Sequence, residues 1–310
     1  MADVMHVVFG YGPVGQAITA AALRRGESVR VVTRSHINVP SGVEHRRVDL
    51  TDPEAAKSAT HGATVVYGSA QPAYHRWPAE FPQLQEAMLG AAAAADAVYV
   101  SAENLYMYGP HDGPLTEDLP YAAQTRKGRV RARMAEEVKQ AHATGRVRTT
   151  AGRASDFYGP GVVDSAVGRR FLDPLLAGKP INTVGDVYAP HTWTYAPDFG
   201  RALVELGSQE GAWGRAWHVP SAPAESQFDF ALRILRAAGR EGEPKFRVAG
   251  PVLLRLVGLK EKAAAETIEM LYEFDRPFVM ADSAFRETFG MEPTDPEAAA
   301  TETVRSLSGS

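Results

Sequence analysis

The densest chemistry in the chain lies at its start. Val7-Val8-Phe9-Gly10-Tyr11-Gly12-Pro13-Val14-Gly15-Gln16-Ala17 is a strand-forming run, a Gly-x-Gly-x-x-Gly turn and a helix start in succession. The three glycines act differently, in that Gly10 permits the tight turn, Gly12 lets backbone approach a phosphate, and Gly15 lets helix pack close on strand. The helix opening at Pro13 and Val14 offers free N–H groups and the positive end of its dipole to a pyrophosphate. The spacing therefore points to a bound dinucleotide. The next β-branched run ends in Thr33-Arg34, where an NAD(H) site would place an acidic residue on the ribose hydroxyls. A guanidinium there binds a 2′-phosphate instead, which favours NADP(H) over NAD(H). Asp49 and Leu50 follow a third run and are placed near the adenine, while Asp52 reads as a helix N-cap.

Two ring-rich loops, Gln71 to Trp77 and Pro190 to Tyr195, are expected near the carboxyl edge of the sheet, where open α/β sheets bind ligands. Tyr74, Trp77, Tyr108, His191 and Trp193 are the expected walls for a planar or apolar small molecule, although aromatic residues serve lobe interfaces equally well. Asn104 offers a hydrogen-bond donor, and Tyr106 lies just past a strand as a candidate acid, with Lys127 and Arg129 as cationic partners. The basic run from Arg126 to Arg133 reads as a helix on which Arg129 and Arg133 share a face and Arg131 points elsewhere. Salt-bridged and solvated, it gives no reason to expect nucleic acid. No grouping of His, Asp and Glu has metal-ligand spacing.

These residues need a scaffold, and the first half supplies one by alternating β-branched runs with Ala-rich stretches. Strands are expected at Val4–Phe9, Ser28–Thr33, Val43–Val48, Thr64–Tyr67, Val98–Ser101 and Val147–Gly152. Helices are expected at Pro13–Arg25, Pro53–Thr60, Phe81–Ala95 and Arg126–Thr144. The pattern predicts an α/β fold, a Rossmann-type doubly wound parallel sheet with a smaller C-terminal substrate lobe. Residues 1–155 form the NADP(H)-binding domain with returns near 190–219, where Asp198–Leu206 reads as a helix and Trp217–Val219 as a strand. Residues 156–310 are mainly the substrate-binding lobe. With 310 residues, 45% hydrophobic content and a net charge of −4, the chain builds a full core and shows no attraction to anionic polymers. It has no cysteine, no basic leader and no apolar run long enough to span a bilayer, so a cytoplasmic location with neither membrane nor nucleic-acid partners is expected.

With these residues in view, the chain resembles the extended short-chain dehydrogenase/reductases, the NAD-dependent epimerase/dehydratase family. Val98-Tyr99-Val100-Ser101 through Tyr108-Gly109-Pro110 is similar to the family's fifth strand and Tyr-Gly, and Arg153 to Gly161 to its Arg-x-x-Asn-x-Tyr-Gly-Pro-Gly segment. The resemblance implies cofactor contacts at Gly68, Ser69, Ala70, Gln71, Ser101, Ser155 and Phe157, and a homodimer through the two long helices. It does not carry the catalytic residues over. Asn104 stands at the family's Ser/Thr position, the region lacks a Tyr-x-x-x-Lys, and counting forward places Arg129 and Arg133 there. Arginine keeps its proton at working pH and cannot trade it. Epimerisation and dehydration need a base to begin oxidation, whereas reduction needs only donors that polarise an oxygen. The expectation is an NADPH-dependent reductase of a carbonyl or conjugated double bond in a small apolar or aromatic molecule. A catalytically silent cofactor-binding sensor and a nucleotide-sugar epimerase or dehydratase are the alternatives.

Overall fold

The computed structural model describes residues 4–250 and 268–308. A seven-stranded, wholly parallel sheet forms its centre: β1 (Met5–Phe9), β2 (Ser28–Thr33), β3 (Glu44–Arg47), β4 (Val65–Gly68), β5 (Val98–Glu103), β6 (Thr149–Arg153) and β10 (Ala216–His218). Their order is β10-β6-β5-β4-β1-β2-β3, so the chain leaves β1 in one direction for β2 and β3 and returns to its other side for β4. The reversal between β1 and β4 opens a crevice at their carboxyl ends.

Alternation along the strands supplies both faces of the sheet. Val8, Val31, Val65 and Tyr67 face a core shared with α1 (Pro13–Arg24) and α6 (Ala196–Ser208). Val7, Phe9, Val32, Val66 and Tyr99 face α2 (Pro53–Ala59), α3 (Trp77–Ala94) and α4 (Arg126–Ala143). Strands buried on both sides read as continuous apolar runs, which is why they are legible in the sequence. β3 is the exception because it is an edge: its Glu44 binds Arg30 at 2.7 Å and Arg46 at 2.6 Å, and such charges blunt an open edge. α3 begins at Trp77, before the expected Phe81, with Pro78 in its first turn, where no N–H is missed.

The remaining elements build a second core from Tyr158, Phe171, Trp193, Tyr195, Phe230 and Ile234. They include the parallel pairs β7 (Asp156–Tyr158) with β9 (Trp193–Tyr195) and β8 (Ile181–Val184) with β11 (Phe246–Ala249). Helices α5 (Arg169–Leu176), α7 (Gln227–Ala237) and α9 (Pro296–Ser308) also belong here, while α8 (Ser283–Phe289) sets Phe285 and Phe289 against Trp217 of β10. Among the described residues, no helix is long and apolar enough to cross a membrane.

Candidate active site

The glycine turn joins β1 to α1 at the crevice. Gly10 holds φ at +91°, and a Cβ there would lie 2.7 Å from Ala70 Cα; one on Gly15 would lie 2.1 Å from the Gly10 carbonyl oxygen. Both positions exclude any side chain. Gly12 differs, because a Cβ built on it meets nothing within 4 Å, and it caps α1 without a side-chain hydrogen bond. Open space therefore lies before unsatisfied helical N–H groups, which fits the pyrophosphate of a nicotinamide dinucleotide.

At the end of β2, the Thr33 hydroxyl donates to the Ser35 carbonyl at 2.7 Å and lies 2.8 Å from His45 Nε2, and His36 stacks edge-on to His45 at 5.6 Å. Arg34 is exposed beside them. The Asp49 carboxylate accepts from both the amide and the hydroxyl of Thr51, at 3.0 and 2.9 Å. These bonds and the nearby Arg34 charge hold its pKa below the usual range. Leu50 is partly buried against the α2 side of the sheet, and Asp52 caps α2 by accepting from the amides of Glu54 and Ala55.

From Pro13 and Val14 a cleft of about 380 Å³ runs over Gly68, Ser69, Ala70 and Gln71 to Asn104 and Tyr106, and Ser155 and Phe157 also line it. Ser69 donates its hydroxyl to the Phe9 carbonyl at 2.8 Å, tying β4 to the glycine turn. Tyr74 and Trp77 line the cleft with ring centres 5.0 Å apart, and the Tyr74 hydroxyl donates to that of Tyr106 at 3.4 Å. Burial, more than any neighbour, raises the pKa of both phenols. Tyr106 as it stands is a hydrogen-bond donor that gives up its proton reluctantly.

Several expected site residues lie elsewhere. Ser101 is buried within the sheet. Arg129 is exposed and bonds the Gln124 carbonyl, because the apolar stripe of Met134, Ala135, Val138 and Ala141 fixes the phase of α4 and turns Lys127 and Arg131 inward instead. Lys127 and Arg131 are thus the inward pair at the Tyr-x-x-x-Lys spacing, correcting the placement at Arg129 and Arg133. Lys127 does not line the cleft: its Nζ pairs with Glu269 at 3.3 Å and lies 4.2 Å from the centre of the Tyr74 ring. Arg131 does line it, sending Nε to Asn104 Oδ1 at 3.3 Å. Asn104 Oδ1 also accepts from the Tyr106 amide at 3.3 Å, which leaves its Nδ2 as the donor for a ligand oxygen.

Tyr108, expected in the substrate wall, lies instead in a buried chain beneath it. Arg153, ion-paired to Glu103 at 2.9 Å, donates to the Tyr108 hydroxyl at 2.6 Å; this hydroxyl lies 2.8 Å from His218 Nε2, and His218 Nδ1 lies 2.9 Å from the Ala281 carbonyl. That carbonyl only accepts, so Nδ1 carries the proton and Nε2 accepts from Tyr108. Burial and the Arg153 charge push the His218 pKa down to about 3. His191 and Trp193 are likewise under the cleft, stacked at 4.0 Å, with His191 Nε2 at 3.2 Å from Ser155 Oγ and 3.0 Å from Asp156 Oδ2.

Arg131, Asp156, Glu273 and Phe278 also line the cleft without having been expected in it, as do Phe81, Glu103 and Phe199. The phase of α4 was a usable signal for Arg131. Nothing local marks Glu273, which reaches the cleft from a single helical turn, Leu271–Glu273, far along the chain. No group of described residues gathers three His, Asp or Glu side chains fit to hold a metal ion.

A family model for the NAD dependent epimerase/dehydratase family matches residues 7–219. No curated protein matches by sequence. The fold is similar to a UDP-glucose 4-epimerase solved with UDP-glucose from Thermotoga maritima, with a TM-score of 0.80 at 15% identity over 99% of each chain. It is also similar to an epimerase from Methanothermobacter thermautotrophicus, at 0.80 and 17% identity over 99% of this chain and 92% of that one. A dTDP-glucose 4,6-dehydratase from Bacillus anthracis in complex with NAD aligns at 0.78 and 14% identity over 99% of this chain and 97% of that one. Identities this low show a shared fold.

Proposed function

We propose, since this chain belongs to the NAD-dependent epimerase/dehydratase family, that it exchanges a hydride between a nicotinamide dinucleotide and an oxygen-bearing carbon of a small molecule, and that the substrate is a nucleotide sugar. The observation that carries this is the continuity of the cleft, which leads from the foot of α1 at Pro13 to Asn104, Tyr106 and Arg131 without a break. The substrate class rests on the similar structures, which include a UDP-glucose 4-epimerase and a dTDP-glucose 4,6-dehydratase. They support that class over the apolar substrate expected from the ring-rich loops. Aromatic walls at Tyr74, Trp77 and Phe278 suit the flat face of a sugar ring as well as a planar apolar molecule.

The chain's own groups divide the work of such a reaction. Asn104 Nδ2 and the Tyr106 hydroxyl hold the substrate oxygen, and Arg131 fixes Asn104 while adding positive charge where an oxyanion develops. Lys127, stacked behind Tyr74, orients that ring. A second reading, NADPH-dependent reduction of a carbonyl or conjugated double bond, is favoured by Thr33 and Arg34 at the end of β2 and by Lys127 and Arg131 standing where the family has its Tyr-x-x-x-Lys pair.

The test is a panel: purified protein with NAD⁺ and UDP-glucose, UDP-glucuronate or dTDP-glucose, products separated by ion-pair chromatography, beside NADPH with ketones and enones followed by loss of nicotinamide absorbance. Conversion of a nucleotide sugar supports the first reading and NADPH consumption the second. Tight cofactor binding with turnover in neither arm would replace both with a cofactor sensor.

A further inference from the structure

Glu273 is the one buried carboxyl in the cleft without a hydrogen-bonding partner for Oε1 among the described residues. It is 1% exposed, yet it lines the same cleft as Asn104, Tyr106, Asp156 and Phe278. The groups around it are acids and phenols: Asp156, Tyr74, Tyr106 and Tyr272, with Glu269 further out. Its backbone carbonyl accepts from His191 Nδ1 at 3.1 Å, which ties this turn to the His191–Asp156 pair. The nearby cations are already engaged, Lys127 with Glu269 and Arg131 with Asn104. Among the described residues an ionised carboxylate in such a place has neither solvent nor a free counter-charge, so the neutral acid is the form the site favours. Burial first, and then the Asp156 charge, raise its pKa well above the usual carboxylate range; the Tyr272 hydroxyl lies close enough to temper the rise but completes no hydrogen bond.

We propose that Glu273 is the proton donor of the cleft, a neutral carboxylic acid that serves the substrate oxygen in place of a Tyr-x-x-x-Lys tyrosine, at whose spacing this chain has Lys127. This rests on the hydride-transfer reading above. As a carbonyl carbon takes up the hydride that the nicotinamide supplies, the Glu273 O–H bond breaks and the substrate O–H bond forms. The alcohol leaves, and the carboxylate regains from the bulk medium the one proton that the net reduction consumes. Asn104 and Tyr106 hold the oxygen during the transfer.

The test treats the full-length protein with dicyclohexylcarbodiimide, which adds to protonated carboxyls within apolar surroundings, and maps the N-acylurea adduct by peptide mass spectrometry. Nicotinamide fluorescence is titrated with NADPH and NADH in parallel, and E273Q serves as the control for the site of attachment. Near neutral pH the adduct is expected at Glu273 ahead of exposed carboxylates such as Asp275, and above its pKa the labelling should fall about tenfold per pH unit. A protein that binds either dinucleotide but is not labelled at Glu273 overturns the proton donor and leaves the hydride-transfer reading intact. An adduct on a protein that binds no nicotinamide removes that reading, and the donor role with it.

Discussion

Arg34 stands at the carboxyl end of β2 as an exposed guanidinium, beside Thr33 and the His36–His45 pair. Its exposure means that a change there reads out on ligand rather than on folding. A charge-assisted hydrogen bond contributes about 1.5–3 kcal/mol, so Arg34→Ala should weaken NADPH roughly ten- to hundredfold and leave NADH unchanged, as read by fluorescence titration. Equal affinities in both proteins would make Arg34 a bystander and return the preference to NAD(H). Asn104 belongs to the same scale. Its Oδ1 is occupied by Arg131 and the Tyr106 amide, so Asn104→Ala removes the Nδ2 donor and releases Arg131 together. With whichever substrate the panel identifies, kcat should fall on the order of a hundredfold while cofactor affinity holds.

At the level of elements, the glycine turn is the best-determined part of the site, and α1 is pressed from both sides. Gly200 of α6 would place a Cβ 2.4 Å from the Ala17 backbone carbon of α1, and Gly15 has the Gly10 carbonyl at 2.1 Å. Backbone cannot yield as a flexible side chain does, so Gly200→Ala should destabilise the fold by about 1–3 kcal/mol in urea unfolding. A neutral result would mean that the two helices are not in contact as described. The glycine motif and the strands were legible because their residue types are dictated locally, by sterics in the turn and by two-sided burial in the sheet. The inward face of α4 is legible in principle, since Met134, Ala135 and Val138 announce its phase, and that phase turns Arg131 inward where the family's spacing points to Arg129. Glu273 was not legible, because its place in the cleft depends on how a distant turn packs against Asp156 and Tyr106. No local pattern encodes that.

For the whole molecule, buried titrating groups set opposing slopes of stability against pH. His218 has a folded pKa of about 3 against 6.5, so the native state binds fewer protons than the unfolded chain between these values. Its contribution is lost as pH falls through that window, at up to about 1.4 kcal/mol per pH unit. Glu225 has the opposite sign. Burial raises its pKa to about 7 from 4.5 despite its pairing with Arg233, so the native state holds the extra proton and stability falls as pH rises through that range. Glu273 acts in the same sense. Urea melts across pH should therefore find wild-type stability falling relative to that of Glu225→Gln as pH rises from 4.5 to 7. Parallel profiles would show that Glu225 is ionised throughout.

The central claim is that the Gly10–Gly15 turn binds the pyrophosphate of a nicotinamide dinucleotide, and Gly12 tests it most directly. Its Cβ position is open and its φ of −69° suits any residue, so Gly12→Ala should fold and melt as the wild type does while intruding on the phosphate. The measurement is a titration of both proteins with NADPH and NADH by nicotinamide fluorescence. Saturable binding by the wild type, weakened at least about tenfold by Gly12→Ala at unchanged melting temperature, is the expected result. No binding by the wild type, or equal binding by both, would contradict the account.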